Sequence, residues 1–145
     1  MAVLFDTNIL LRLAQKHHPH HAFAERSLNL LLDRSEDIVI VSQTVVEFWA
    51  VATRPLSANG LGLTVEEVAI EIDTAGYLFR LLQEVPVHDV WLHLVKKYRV
   101  SGKSVHDARL VAAMIAHGVK EILTLNVADF ARYSKIAVLD PATLS

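Results

Sequence analysis

The sequence predicts an α/β fold with a central, mainly parallel sheet of about five short strands. Two observations carry this expectation. Three short apolar runs without alternation, Val3 to Phe5, Ile38 to Val41 and Ile122 to Leu125, suit strands buried on both faces, as strands of a parallel sheet are. Between them lie segments with apolar residues at helical spacing, which supply the crossover helices that parallel strands need. No linker, repeat or low-complexity stretch divides the chain, so residues 1–145 are expected to form a single domain.

The first run ends abruptly in Asp6. Thr7 and Asn8 follow, and Ile9, Leu10, Leu11 and Leu13 then take up a helical pattern, so Asp6 falls where a strand passes into a helix. It is either a helix cap or a carboxylate at the ligand-binding end of the sheet. In the HHPHH stretch, residues 17 to 21, Pro19 fits the first turn of a helix running to about Arg34, which is preferred to a metal tract. Ile38 to Val41 is the second strand. The helix from about Gln43 to Thr53 follows, stopped by Arg54-Pro55. Glu47 is its only charged residue, and among Val45, Val46, Phe48, Trp49 and Val51 it either points to water or faces a cleft.

Leu56 to Leu63 reads as a loop through Asn59-Gly60 and Gly62. Thr64 and Glu67 form a capping-box pattern opening a helix expected to reach about Gln83, and a third strand is expected over Glu84 to Val87, at an edge because of Pro86. His88 or Asp89 starts a helix over Val90 to Tyr98, which precedes the loop SGK. Ser104 to His117 is the clearest helix of the second half, with Gly118 just past its end. Ser104 with Asp107 resembles a capping box. Ile122 to Leu125 is the next strand, Asp129 stands where it could cap one helical turn, and Ile136 to Leu139 closes the sheet.

Composition excludes several functional classes. With no Cys there is no disulfide, no thiolate zinc site and no Cys nucleophile, which fits a reducing cytoplasm. No apolar stretch approaches the length of a membrane span, and the N-terminus lacks a secretory pattern, so a cytoplasmic protein without a membrane partner is expected. The net charge of −2 does not suggest nucleic acid, but Lys96, Lys97, Arg99, Lys103 and Arg109 against the single acid Asp107 form a local basic stretch able to meet phosphates. In a right-handed parallel arrangement Asp6, Glu47, Asp107 and the pair Asn126/Asp129 gather at one end of the sheet. Carboxylates so gathered repel one another unless cations neutralise them, and oxygen-only ligation selects Mg²⁺ or Mn²⁺.

The segments LFDTNILL, VVEFWAV, SVHDARLVAAMIAHGV and ILTLNVADFARY, taken in that order, resemble a PIN-domain ribonuclease of the VapC type, the toxin of bacterial toxin–antitoxin pairs. The resemblance covers nearly the whole chain and implies a PIN-like three-layer α/β/α fold. By position, Asp6, Glu47 and Asp107 match the family's three main acids. The fourth is divided between Asn126, where family members often carry an acid, and Asp129. The implied activity is Mg²⁺- or Mn²⁺-dependent cleavage of RNA phosphodiesters, with Asp6, Glu47, Asp107 and Asp129 as metal-binding and catalytic residues. Thr7, Asn8, Ser42 and Asn126 are expected to support them, and Lys103, His106 and Arg109 to contact RNA. A cognate antitoxin and a homodimer are the implied protein partners.

Three other readings stay open. A non-catalytic PIN scaffold would bind without cleaving, and a DNA-directed PIN nuclease would share the chemistry. A haloacid dehalogenase-type phosphatase also has an Asp after its first strand, but needs a second Asp two positions on, where Asn8 stands.

Overall fold

The computed structural model describes residues 1–145. Val3, Leu4 and Phe5 are completely buried because strand β1 (Ala2–Phe5) has parallel neighbours on both sides. It pairs with β2 (Asp37–Ile40) through Val3 opposite Ile38, and with β4 (Glu121–Leu123) through Leu4 opposite Ile122. The two-residue strand β3 (Arg80–Leu81) adds to β2, and β5 (Ala137–Leu139) adds to β4. The sheet order is β3-β2-β1-β4-β5, and every pairing is parallel.

Strand side chains alternate between two apolar layers. Val3, Phe5, Ile38, Ile40 and Leu123 face one of them. There they meet α1 (Thr7–Ala14), α2 (His21–Asp33), α3 (Ser42–Thr53) and α4 (Val65–Ala75). Leu4, Val39, Val41 and Ile122 face the other, built from α5 (His88–Lys97), α6 (Ser104–His117) and the short α7 (Val127–Phe130). Helices therefore cover both faces, as the fully apolar strands require. No helix is long and apolar enough to cross a membrane.

Chain order reverses between β1 and β4, so the carboxyl ends of these two central strands form the switch point at which open α/β sheets bind ligands. The Asp6 backbone N–H still donates to Leu123 O at 3.1 Å, which fixes the residues after β1 beside those after β4.

Some local expectations are corrected. The helix opened by Thr64 ends at Ala75, well before Gln83, because the chain turns at Gly76 and Phe79 leaves the helical path to pack against Phe5, with ring centroids 5.4 Å apart. The third strand is Arg80–Leu81 and not Glu84 to Val87, since Leu82 N–H donates to Ile40 O and continues the ladder there. It does lie at the edge of the sheet. The capping box of Thr64 and Glu67 forms with both bonds at 3.1 Å. That of Ser104 and Asp107 does not: Lys103 precedes the helix in helical geometry, and no side chain caps it. Asp129 lies inside α7 and does not cap it, the preceding residue being Asn126. The helix expected from Pro19 begins at His21.

Candidate active site

Asp6 follows the last residue of β1, 7% exposed, and its side chain is enclosed by donors. Oδ1 accepts from Thr7 N at 2.8 Å, and Oδ2 accepts from Thr124 Oγ1 at 2.7 Å and from Asn8 Nδ2 at 3.2 Å. Asp6 thus caps α1 while also anchoring the two central strand ends together. Burial raises its pKa most, opposed by the bonds from Thr124 and Thr7, with Glu47 and Asp129 adding like-charge repulsion.

Glu47 is half-buried on the second turn of α3. Its two oxygens are held separately: Oε2 accepts from Thr7 Oγ1 at 2.9 Å, and Oε1 accepts from Gln43 Nε2 at 2.9 Å. The choice between water and cleft is settled by these bonds, which fasten the carboxylate across to the residue after Asp6. Asp107 enters from the first turn of α6, half-buried. Its pKa is pushed up to about 6, first by burial and then by the charges of Asp6, Asp129 and Glu47, with His106 opposing. Asp129, exposed on α7, therefore belongs to the same electrostatic cluster.

None of the four carboxylates has a basic partner, because the ion pairs of the protein are Met1 with Glu36, His21 with Glu25 and Arg80 with Asp37. No three acidic or histidine side chains close into a ligand group by themselves. An uncompensated, all-oxygen cluster of this open kind fits Mg²⁺ or Mn²⁺, since such an ion commonly takes only one or two carboxylates and completes its shell with water and substrate phosphate.

The supporting residues divide. Thr7 and Asn8 bond directly to Glu47 and Asp6, Asn8 also accepting from Leu125 N through Oδ1 at 3.1 Å. Ser42 is turned away and donates to Glu84, so it does not support the acids as the sequence suggested. The exposed Asn126 sends its backbone N–H to Thr124 Oγ1 at 3.0 Å. Lys103, His106 and Arg109 lie exposed along the start of α6, around Asp107. Two residues escaped the sequence reading. Thr124 is completely buried at the centre of the site. Gln43 joins Glu47 to His106 O at 2.9 Å and accepts from Arg109 Nη1 at 3.1 Å. Its position four residues before Glu47 on one helix was the available signal.

A family model for the PIN domain matches residues 3–136. The chain belongs to the PIN-domain family. It is 30% identical over 145 residues to Ribonuclease VapC24 of Mycobacterium tuberculosis, an alignment that covers 95% of both proteins. Among solved structures it is similar to VapBC2 of Rickettsia felis bound to a promoter DNA fragment, with a TM-score of 0.71, 16% identity and coverage of 97% and 98% of the two chains. VapBC-1 of nontypeable Haemophilus influenzae gives 0.69 at 21% identity, covering 99% of this PIN chain and 100% of that one. At these identities the structural likeness speaks for the fold, while the family model and the VapC24 alignment carry the family.

Proposed function

We propose that this PIN domain is a Mg²⁺- or Mn²⁺-dependent endoribonuclease that acts in the cytoplasm as the toxin of a toxin–antitoxin pair, residues 1–145 working as one unit. The observation that carries the reading is the gathering of Asp6, Glu47, Asp107 and Asp129 at the switch point without a basic partner, with like-charge repulsion from their neighbours acting on Asp6 and Asp107. The family and the 30% identity to a protein named a ribonuclease support the substrate.

Asp6 and Asp107 would hold the ion, with Glu47 and Asp129 completing its surroundings. A divalent cation bound there supplies polarisation of the scissile phosphate and a lowered pKa for the attacking water. The remaining work falls to the chain. Thr124, Asn8 and Thr7 N–H aim the buried Asp6, and the bonds from Thr124 and Thr7 oppose the rise in its pKa that burial causes. Glu47, gripped at both oxygens, is placed to take the proton of the water as its oxygen attacks phosphorus and the bond to the departing sugar oxygen breaks. The leaving oxygen is protonated from solvent.

Two protein partners belong to the same proposal. Relatives were solved as VapBC assemblies, and a cognate antitoxin here would bring a cationic side chain, Arg by its bidentate fork, against Asp6 or Asp107. An apolar groove of about 410 Å³, lined by Leu10, Leu13, Leu28, Phe48, Ile72 and Phe79, offers its apolar segment a seat. Phe48 itself is buried and forms part of that groove without projecting from α3. A homodimer would cover the exposed Val65, Ile70, Tyr77, Leu78 and Leu81 on and after α4.

The deciding experiment is cleavage of single-stranded RNA by purified protein, followed by sequencing of the ends. Cleavage with Mg²⁺ or Mn²⁺ that disappears in EDTA and in Asp6→Asn is expected. Undiminished cleavage in EDTA would overturn the mechanism, cleavage of DNA alone would transfer the chemistry to another substrate, and metal binding without cleavage would leave a scaffold.

A further inference from the structure

Beside the acid cluster lies a second concavity, a groove of about 670 Å³ between the end of β2, residues 82–88, α5 and α6. That volume falls within the range of small-molecule sites. Trp91 lines it, pinned by a 2.8 Å bond from Nε1 to Val105 O, with the ring of His88 at a centroid distance of 6.1 Å. Gln43, Gln83 and Arg109 line it as well. Arg109 has no carboxylate partner, and its guanidinium donates to the Gln43 amide. Glu84, the acid in the wall, accepts from Ser42 Oγ.

We propose that this groove is the subsite for a nucleoside flanking the scissile phosphate of single-stranded RNA, its base against Trp91, its edge read by Gln83 and its phosphate met by Arg109. The inference rests on the ribonuclease reading and adds the place where the substrate is recognised. An aromatic side chain with the Gln83 amide and a guanidinium free of any carboxylate is the chemistry that holds unstacked bases and their backbone. Gln43 makes the groove continuous with the catalytic acids. Its Nε2 bonds Glu47 and its Oε1 bonds Arg109, so a phosphate drawn to Arg109 lies one amide away from the carboxylate that takes the proton.

The test uses Asp6→Asn, which binds without cutting, combined with Trp49→Phe so that Trp91 is the only indole of the chain. Titration with a mixed-sequence single-stranded RNA should quench Trp91 emission saturably, and Arg109→Gln should weaken binding about tenfold, as loss of a charged hydrogen bond does. In otherwise intact protein, Gln83→Ala should change the base preference at one position next to the cleavage site. RNA binding with undisturbed Trp91 emission, or equal affinity in Arg109→Gln, or an unchanged cleavage pattern in Gln83→Ala, would each overturn the groove. Equal quenching by DNA of the same sequence would overturn its assignment to RNA. If intact protein never cleaves RNA while RNA still quenches Trp91, the ribonuclease reading falls and with it the assignment of the groove to a scissile phosphate, leaving a site that binds single-stranded RNA.

Discussion

Thr124 Oγ1 joins three parts of the site: it donates to Asp6 and accepts from Asn8 Nδ2 and from the backbone of Asn126. Because its bond lowers the pKa of an Asp6 that burial raises, Thr124→Val should move the acidic limb of the pH–rate profile to higher pH and lower the rate at neutral pH about tenfold or more. Thr124→Ser should restore both, which separates a hydroxyl effect from a packing effect. Asp107 gives a prediction of opposite character for stability and activity. Its carboxyl titrates near 6 when folded against 3.8 ordinarily, so between these values the folded protein holds the extra proton. Metal-free stability attributable to Asp107 therefore falls as pH rises through that window and stays reduced above it. Melts in EDTA should show Asp107→Asn progressively more stable than the parent from about pH 4 to pH 7, although the same substitution should abolish cleavage. Glu47→Gln should lower the rate about 10²-fold or more, as loss of a general base does. Asp129→Asn tests the fourth position: if it is silent while Asn126→Ala is damaging, the fourth role belongs to Asn126.

Among the elements, α4 depends most on its end. Only Val68 of its residues is fully buried, so the capping box at Thr64 carries much of its definition. Thr64→Ala should cost about 1 kcal/mol, lowering Tm by about 3 °C without changing cleavage by the distant site. A scanning melt with a parallel RNA assay checks both halves of that expectation. At α6, Gly118 has φ +69° and donates to Ile115 O while Val119 donates to Met114 O. That pair of bonds is a Schellman ending, for which a glycine is suited because it has no Cβ to clash in the left-handed region. The helix carrying Asp107 is therefore fixed at its far end and packed along Ala108, Val111 and Ala112, which holds the acid at the switch point.

For the whole molecule, sedimentation without a partner should find a dimer at micromolar concentration, and a monomer there would remove the proposed pairing. Co-expression with a neighbouring small gene should relieve growth arrest and yield a complex, whereas arrest relieved by neither flanking gene would remove the toxin reading and leave the nuclease. The buried strands, most helices and the Gly118 stop were legible because unbroken apolar runs and terminal residues act locally. Glu47 stood out because a carboxylate in apolar surroundings needs a reason, and Asp6 and Asp107 because they fall where a strand passes into a helix and where a helix begins, at the ligand-binding end of the predicted sheet. By itself the sequence determined the α/β class, the parallel central strands and the acids to examine. Only the tertiary structure decided that Glu47 faces the cleft, that Ser42 serves Glu84, that Thr124 and Gln43 complete the site, and that α4 stops near Gly76. Each of those outcomes depends on a partner distant in the chain: Thr7 for Glu47, Glu84 for Ser42, Asp6 for Thr124, His106 and Arg109 for Gln43, and Phe5 for the Phe79 that draws the chain away from α4. Periodicity records which residues prefer burial, and it holds no information on which distant group they will meet.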